Sequence, residues 1–218
     1  RRNHLMRKLS FNAMVFRTLQ LLRRTRTGFF EPGLLIDRDL ELIEPSARFI
    51  DAYMRAAVHP SCIDDPAVKA TRRDLLSYIN RNPRGRHDAE PANGRSAMYS
   101  FWMRLLPNFN PAVEIAGRIS LRLGTSEDLR MYLGHLGYNV HAPARGQHLA
   151  ERASRLLLPL AKKHGMPELW ITANPDNIAS RRTCERLGAT YVDTVTLPDN
   201  HPLYIAGDRE KCRYRIGL

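Results

Sequence analysis

The stretch YNVHAPARGQHLA, residues 138–150, joins a predicted strand to a predicted helix. The first four N–H groups of a helix have no partner inside it, and the helix dipole is positive at that end. A strand that feeds such a turn therefore offers backbone amides to an anion, and it could hold a pyrophosphate. The sequence thus predicts an anion site around residues 145–150.

A helix follows this join, from Gly146 to His164, because apolar residues recur at spacings of three and four. Basic residues in its last turn suit the helix dipole, and Gly165 can end it as a glycine cap. Pro159 lies inside this run and is expected to bend the helix. The apolar positions are Leu149, Ala153, Leu156, Leu157 and Leu160.

Strands and helices are predicted on both sides of the join from alternation, helical spacing and turn residues. Residues 81–96, rich in Pro, Gly and charge, are predicted to form an exposed loop. The fold class is α/β of the α+β kind, a mixed, mostly antiparallel central sheet flanked by helices in the order β-α-α-β-β-β-α-β-α-β-β. The elements are strand 34–43, helices 44–58 and 65–80, strands 98–106, 112–124 and 131–140, helix 146–164, strand 168–174, helix 175–187, and strands 189–197 and 211–218.

The positive charge is concentrated at one end of the chain. Of the formal net charge of +12, eight come from residues 1–30, which contain no acid, so +4 remains for the rest. We therefore predict a basic N-terminal extension over 1–30 and a folded domain over 31–218. The extension could contact a membrane surface or an anionic partner, act as an organellar targeting segment, or be a poorly ordered extension, which is favoured. Such local basicity makes nucleic acid an unlikely partner.

Composition excludes several other classes of protein. Hydrophobic residues at 43% and charged residues at 26% are ordinary for a globular domain. Three widely spaced cysteines give neither a disulfide framework nor a zinc-type pair, so a reducing, cytoplasmic compartment is expected. No apolar run approaches the roughly 20 residues that span a bilayer. His135, His141 and His148 are not spaced like metal ligands, and no metal is expected.

The turn also carries a motif. Arg145, His148 and Ala150 occupy the defining positions of Q/R-x-x-G-x-G/A, and on this motif the chain resembles the GNAT superfamily of N-acetyltransferases. His148 stands where the family usually has glycine, which is acceptable provided that its backbone needs no positive φ. The resemblance implies acetyl-CoA as co-substrate, held largely by main-chain amides. The cofactor residues implied here are Val140, Arg145, Gly146, Gln147, His148, Leu149 and Ala150.

A second block, NIASRRTCERLG (177–188), resembles the N-x-x-S-x-x-x-x-E-x-x-G signature of a branch of that superfamily. The resemblance implies that Asn177 contacts the pantetheine arm. Many relatives carry, seven residues after this Asn, a tyrosine that protonates the departing thiolate, but Cys184 stands there. We predict that Ser180 donates a hydrogen bond to the sulfur instead. The segments GHLGY (134–138) and DNIAS (176–180) are particularly similar to a group of predicted acetyltransferases.

The attacking amine must be neutral, so a general base is needed. His135 stands where many relatives have Glu, and an unperturbed pKa of about 6.5 suits it to this role. A packed, hydrogen-bonded interior histidine is an equally supported alternative. Glu114 and Tyr138 are weaker candidates for the base. Tyr138 and Trp102 are predicted to line the substrate pocket, although aromatic residues can equally pack in a core.

The resemblance implies an acyltransferase that moves an acetyl group to a primary amine of a small molecule or peptide by direct attack, with a main-chain amide near Val140 polarising the carbonyl. Two alternatives stay open: a non-catalytic acyl-CoA-binding module and a nucleic-acid-associated basic protein. A homodimer is also left open. The basic residues Arg181, Arg182 and Arg186 could clamp the CoA 3′-phosphate or form a solvated face, and the latter is favoured.

Overall fold

The computed structural model describes residues 28–58, 70–90, 92, 94–107 and 113–218. The chain divides into two compact units, Arg1–Leu34 and Leu35–Leu218. Residues 28–34 of the first unit form no helix or strand, and most of the predicted extension lies outside the described residues. Within the described part of the chain, no helix is long and apolar enough to cross a membrane.

The second unit contains two sheets, and every pair of neighbouring strands in them is antiparallel. The larger sheet has the order β1-β2-β4-β5-β6, with β3 paired to β4, and the smaller has the order β7-β9-β8. The predicted meander and the mostly antiparallel sheet are thereby confirmed. The strands are β1 (Ile36–Asp37), β2 (Leu40–Ile43), β3 (Arg86–His87), β4 (Met98–Leu105), β5 (Ile115–Arg122), β6 (Leu136–Val140), β7 (Glu168–Ala173), β8 (Thr190–Thr196) and β9 (Glu210–Gly217).

The helices begin and end at recognisable signals. At the start of the second helix, Thr71 and Asp74 form a reciprocal capping box. The fourth helix is capped by Asn177 and ends at Gly188, whose φ of 89° suits a residue without Cβ. The helices are α1 (Ile50–Ala57), α2 (Arg72–Arg81), α3 (Leu149–Lys163), α4 (Ile178–Leu187) and the short α5 (Pro202–Ile205).

Three predicted elements differ from the structure. The strand predicted at 34–43 is divided into β1 and β2 by a turn in which Arg38 has a φ of 55°. The strand predicted at 131–140 begins only at Leu136, because Leu129–Leu133 form a π-helical turn. The helix predicted from Gly146 begins at Leu149 and continues through Pro159, so the proline does not interrupt it.

The segment just before β6 contacts β7 of the smaller sheet. The His135 N–H donates to the Trp170 carbonyl at 2.6 Å. Beyond this contact β6 pairs only with β5, and β7 only with β9. The backbone groups along the facing edges of β6 and β7 are therefore not used in a shared ladder. This junction leaves a slot between the sheets, and α3 and α4 follow β6 and β7 directly.

Candidate active site

The turn between β6 and α3 exposes an uncapped helix N-terminus. Residues 145–148 are all exposed, and no side chain caps the first turn of α3. Gly146 has a φ of 84° and His148 a φ of 54°, so the backbone curls tightly before the helix begins. Exposed, uncapped amides at the positive end of a helix favour an anionic group.

Neighbouring strands hold this turn in place. The His141 N–H donates to the Ala116 carbonyl at 2.8 Å, and the Arg145 Nε donates to the Val140 carbonyl at 3.0 Å. A Cβ on Gly117 would lie 2.1 Å from the Asn139 carbonyl oxygen, so only glycine allows β5 to approach β6 this closely. The backbone around Val140 is thus fixed by contacts on both sides.

Trp102 lies beneath this turn instead of in a substrate pocket. Its side chain is 2% exposed and its ring lies 4.7 Å from that of Tyr53, which in turn meets His141 edge-on at 4.9 Å. It belongs to the apolar core that α1 forms with β4 and β5, and it lines none of the cavities described below. The predicted substrate contact is therefore replaced by a packing role, because a buried indole cannot reach a ligand.

His148 adopts the left-handed backbone conformation that glycine provides in the family motif. The sequence led us to expect that a histidine is acceptable at this motif position only if its backbone needs no positive φ. His148 does have a positive φ, so that condition is not met. Its Nδ1 accepts a hydrogen bond from Arg186 of α4 at 3.0 Å. Arg186 therefore lies next to the turn that precedes α3, and its side chain is also exposed. Arg181, in contrast, donates to Tyr214 and to the Pro175 carbonyl.

The other residues predicted to bind the cofactor differ in how exposed their side chains are. Leu149 is 2% exposed, so it can offer its N–H but not its side chain, and Ala150 is half-buried beside it. Gln147 is exposed. Asn177 uses its Oδ1 to accept the Ser180 N–H at 3.0 Å, which fixes the start of α4 and leaves the NH2 of the amide for other contacts.

Two hydroxyl groups meet across the slot between the sheets. The Tyr138 hydroxyl of β6 lies 2.9 Å from the Ser180 Oγ of α4. Burial raises the pKa of Tyr138 above its ordinary value of 10, so the phenol keeps its proton at neutral pH. Tyr138 was predicted as a substrate contact or a weaker candidate base, and Ser180 as a lone donor to the sulfur. Their pairing joins residues 42 positions apart, and no local pattern indicates it.

Cys184 lies next to this pair of hydroxyls. Its side chain is fully buried, and burial raises the pKa of its thiol to about 11. A hydrogen bond with the Tyr138 hydroxyl partly offsets this rise. A neutral, buried thiol is a poor nucleophile, in agreement with a mechanism that needs no covalent enzyme intermediate. The Tyr138 phenol therefore lies beside the position at which many relatives carry their acidic tyrosine.

His135 is buried among backbone groups, with 2% exposure. Its Nδ1 accepts the Trp170 N–H at 2.8 Å, and its Nε2 lies 3.1 Å from the Gly124 carbonyl. This pattern assigns the proton to Nε2 and leaves no ring lone pair for a substrate. Burial also lowers the pKa of the imidazole below 6.5. The placement agrees with the packed-interior alternative and argues against a role as general base.

Arg122 lines three cavities, and Tyr138 lines two of them. A cavity of 310 Å³ and one of 180 Å³ both include Tyr138, Gly137 and Arg122 in their walls, and Ser180 lines the smaller. A wide cleft of 1370 Å³ adjoins them, with Arg122 lining all three. A ligand in either smaller cavity would therefore lie beside Tyr138, and a ligand in the smallest would also lie beside Ser180.

His87 and Tyr78 line the wide cleft and form a second polar group. The Tyr78 hydroxyl donates to the Ser100 Oγ at 2.8 Å and lies 3.0 Å from the His87 Nε2. Because the tyrosine proton goes to Ser100, His87 donates from Nε2 and keeps its lone pair on Nδ1. Burial lowers the pKa of His87, so the ring is neutral at pH 7. His87 appeared in the sequence only as one of several residues of an exposed loop.

A second histidine of this cleft has a structural role. His201 accepts the Leu203 N–H on Nδ1, which caps α5, and its Nε2 lies 2.9 Å from the Asp128 carboxylate. Both ring nitrogens are therefore occupied. No group of three or more His, Cys, Asp or Glu side chains is arranged to hold a metal in the part of the chain that the structure describes.

Comparison with known protein families places this geometry in context. Residues 49–190 match a family model described as an acetyltransferase (GNAT) domain. The match spans both motifs found in the sequence. The comparison with curated protein sequences gave no match.

Several solved structures share the fold. The microcin C7 self-immunity acetyltransferase MccE, solved with acetyl-CoA and AMP, is 14% identical, with a TM-score of 0.61 over 89% of this chain and 98% of that one. A putative ribosomal-protein-serine acetyltransferase from Vibrio cholerae is 14% identical, with a TM-score of 0.59 over 87% and 100%. The ribosomal L7/L12 α-N-protein acetyltransferase RimL, solved with CoA, is 16% identical, with a TM-score of 0.58 over 85% and 98%.

Proposed function

Because the chain belongs to the GNAT acetyltransferase family and uses acetyl-CoA as its acetyl donor, we propose that it acetylates a primary amine of a small molecule or peptide. The amine attacks the thioester directly. The observation that carries this proposal is the Tyr138–Ser180 contact. Both residues line a cavity beside the slot between β6 and β7. Because β6 and β7 do not pair with each other, they leave room for a pantetheine arm between them.

The turn between β6 and α3 would hold the diphosphate of acetyl-CoA. The amides of residues 145–150 act mainly through their N–H groups, because a helix N-terminus favours negative charge. Arg186, which already contacts His148 at 3.0 Å, adds a cation at the same turn. Asn177 would hold the pantetheine arm through the amide NH2 that helix capping does not use.

The leaving thiolate would receive its proton at the other end of the slot. Ser180 is the proposed donor to the sulfur, and the Tyr138 hydroxyl at 2.9 Å supports it. Because burial keeps the Tyr138 phenol protonated, the pair can supply a hydrogen bond throughout the neutral pH range. The backbone amide near Val140 would polarise the acetyl carbonyl, in the manner of an oxyanion hole.

His87 is the proposed general base in place of His135. Its Nδ1 retains a lone pair at neutral pH, and the ring lines the cleft that adjoins Tyr138 through Tyr78 and Arg122. A neutral imidazole near the acceptor amine can take the ammonium proton before attack. Changing His87 to Gln should lower kcat/KM most near pH 7, where the imidazole is neutral but most of the amine is still protonated, and the loss should shrink as the pH falls and the wild-type ring takes up a proton.

Titration with acetyl-CoA tests the cofactor site. We expect acetyl-CoA to raise the melting temperature and to bind measurably by calorimetry, because ligands that bind the native state stabilise it. No binding at high micromolar concentration would contradict the proposed site. Binding without release of CoA thiol across a broad panel of amines would instead favour a non-catalytic acyl-CoA-binding module.

Two variants separate chemistry from binding. Ser180→Ala and Tyr138→Phe remove one hydroxyl each and leave the amides of the turn intact. We expect kcat to fall about tenfold or more in each, with the affinity for acetyl-CoA nearly unchanged. Thr196→Val, at an exposed position of β8 outside the three cavities, is the matched control for loss of a hydroxyl. Equal kcat in all three variants would exclude the Tyr138–Ser180 pair from the reaction.

A further inference from the structure

The cavity of 310 Å³ has an unusual set of charges. It is lined by two arginines, Arg118 and Arg122, and by four residues that carry a hydroxyl group: Tyr78, Ser100, Ser120 and Tyr138. No Asp or Glu is among the residues that line it. A space lined by two arginines and by hydroxyl-bearing residues, without a carboxylate, favours an anion.

Arg118 is the cation with the greatest freedom to bind a ligand. It is exposed on β5, and within the described parts of the chain it forms no ion pair. Its charge acts on the Tyr78 hydroxyl, which lines the same cavity. An arginine that is exposed in a cavity and has no carboxylate partner can present its planar donor groups to a ligand in pairs.

Arg122 is held more rigidly at the inner end of the cavity. Its Nη1 donates to the carbonyls of Leu133 at 3.3 Å and Gly134 at 3.2 Å, next to the contact between the two sheets. Gly137 leaves room for this side chain, since a Cβ there would lie 3.1 Å from Nη1. The nearest acid acting on it, Asp128, already accepts from His201. The Arg122 guanidinium is thus hydrogen-bonded mainly to carbonyl groups, so its positive charge is not paired with a carboxylate of its own.

We propose that Arg118 and Arg122 form a subsite for an anionic group of the acceptor, so that the substrate is an amine with a carboxylate or phosphate a few bonds away. The inference rests on the proposed function, because it assumes that the amine lies near Tyr138. Tyr138 lines this cavity and contacts Ser180, so an anion bound at Arg118 positions the amine toward the thioester. An amino acid or a peptide with an acidic residue near its N terminus has this chemistry.

Matched substrate pairs test the subsite. The panel contains γ-aminobutyrate and its amide, 3-aminopropyl phosphate and 3-aminopropanol, and the C-terminally amidated dipeptides Ala-Asp-NH2 and Ala-Asn-NH2, with CoA thiol as the readout. We expect at least one anionic member to exceed its neutral partner in kcat/KM by about tenfold, as charge-assisted hydrogen bonds of this kind allow. The carboxylate and phosphate arms distinguish the two anion types. Equal rates for every anionic and neutral pair would overturn the subsite.

Charge variants make the test specific. In Arg118→Gln the anionic-to-neutral ratio of kcat/KM should fall toward one, and Arg118→Glu should favour a cationic amine. Arg55→Gln, at an exposed arginine of α1 that lines none of the three cavities, is the control and should keep the ratio. A ratio unchanged in Arg118→Gln would count against the subsite. Calorimetric binding of the anionic amines alone, compared between wild type and Arg118→Gln, decides the subsite even if no turnover occurs, whereas failure to bind acetyl-CoA would reject only the proposed function.

Discussion

At the residue scale, the His135 imidazole accepts a hydrogen bond from the Trp170 N–H and lies 3.1 Å from the Gly124 carbonyl. Burial lowers its pKa in the folded state below 6.5, the value expected for the unfolded chain. The unfolded state therefore binds the proton more readily. This histidine imposes no penalty above pH 6.5, and it destabilises the fold progressively as the pH falls below that value.

A His135→Asn variant tests this linkage. The Asn Oδ1 can still accept the Trp170 N–H, but the bond to Gly124 is lost, so we expect the variant to be about 1 kcal/mol less stable at pH 8. The difference should narrow at pH 5, because only the wild type has the buried imidazole to protonate. Chemical denaturation at both pH values measures it. A difference that widens at pH 5 would contradict the assignment of a neutral ring.

His148 offers a second test at the same scale. Its φ of 54° lies in the left-handed region, which costs a residue with Cβ about 1–2 kcal/mol. We expect His148→Gly to be more stable than His148→Ala by about 1 kcal/mol and to bind acetyl-CoA at least as tightly as wild type, since main-chain amides hold the diphosphate. Thermal denaturation and calorimetry give both values. Greater stability of the alanine variant would argue against the positive φ.

At the element scale, helices and strands with clear periodicity are predictable from the sequence, and elements fixed by distant contacts are not. The alternating residues 131–140 suggest one strand, yet the Gly134 N–H bonds to the Leu129 carbonyl and closes a π-helical turn. A Cβ on Gly134 would lie 2.9 Å from the Thr172 backbone nitrogen. The contact with β7 therefore decides where β6 begins, and the local pattern cannot show it.

The residues of the candidate site also divide into those that a local sequence pattern indicates and those that depend on distant contacts. The turn at 145–150 is a local feature that the motif and the helix pattern indicate, whereas the capping role of Asn177 is not predicted from the sequence. The role of His135 depends on Trp170, 35 residues away, and the Tyr138–Ser180 pair spans 42 residues. Trp102 looked like a pocket residue because its neighbours in space, Tyr53 and α1, are not its neighbours in sequence.

The approach of β5 to β6 gives a prediction for a whole element. Gly117→Ala would set a Cβ 2.1 Å from the Asn139 carbonyl oxygen, so the two strands must separate beside Val140. We expect a loss of about 3 kcal/mol or more in the free energy of unfolding, together with weaker acetyl-CoA binding. Gly217→Ala in β9, where a Cβ would meet nothing within 4 Å, is the control. Equal stability of the two variants would refute the close approach.

At the scale of the whole molecule, the site draws on both sheets of the second unit. The larger sheet supplies Arg118, Arg122 and Tyr138, whereas α4, which follows β7 of the smaller sheet, supplies Ser180. Arg152 of α3 donates to Asp37 and Asp39 at 2.5 Å each and ties the helix behind the anion-binding turn to the first strands. Substrate binding and the stability of the sheet junction should therefore be coupled.

Most of the positive charge of the chain lies outside the part that contains the candidate active site. Residues 1–30 carry +8 of the formal +12, and the active-site features all lie within Leu35–Leu218. We expect deletion of residues 1–27 to leave acetyl-CoA affinity unchanged and to abolish any salt-sensitive binding to DNA or RNA, because such binding follows the number of cations that meet phosphates. Calorimetry with acetyl-CoA and filter binding at two salt concentrations measure the two effects. Nucleic-acid binding that survives the deletion would assign that affinity to the domain itself, where Arg118 and Arg122 would be the first residues to test.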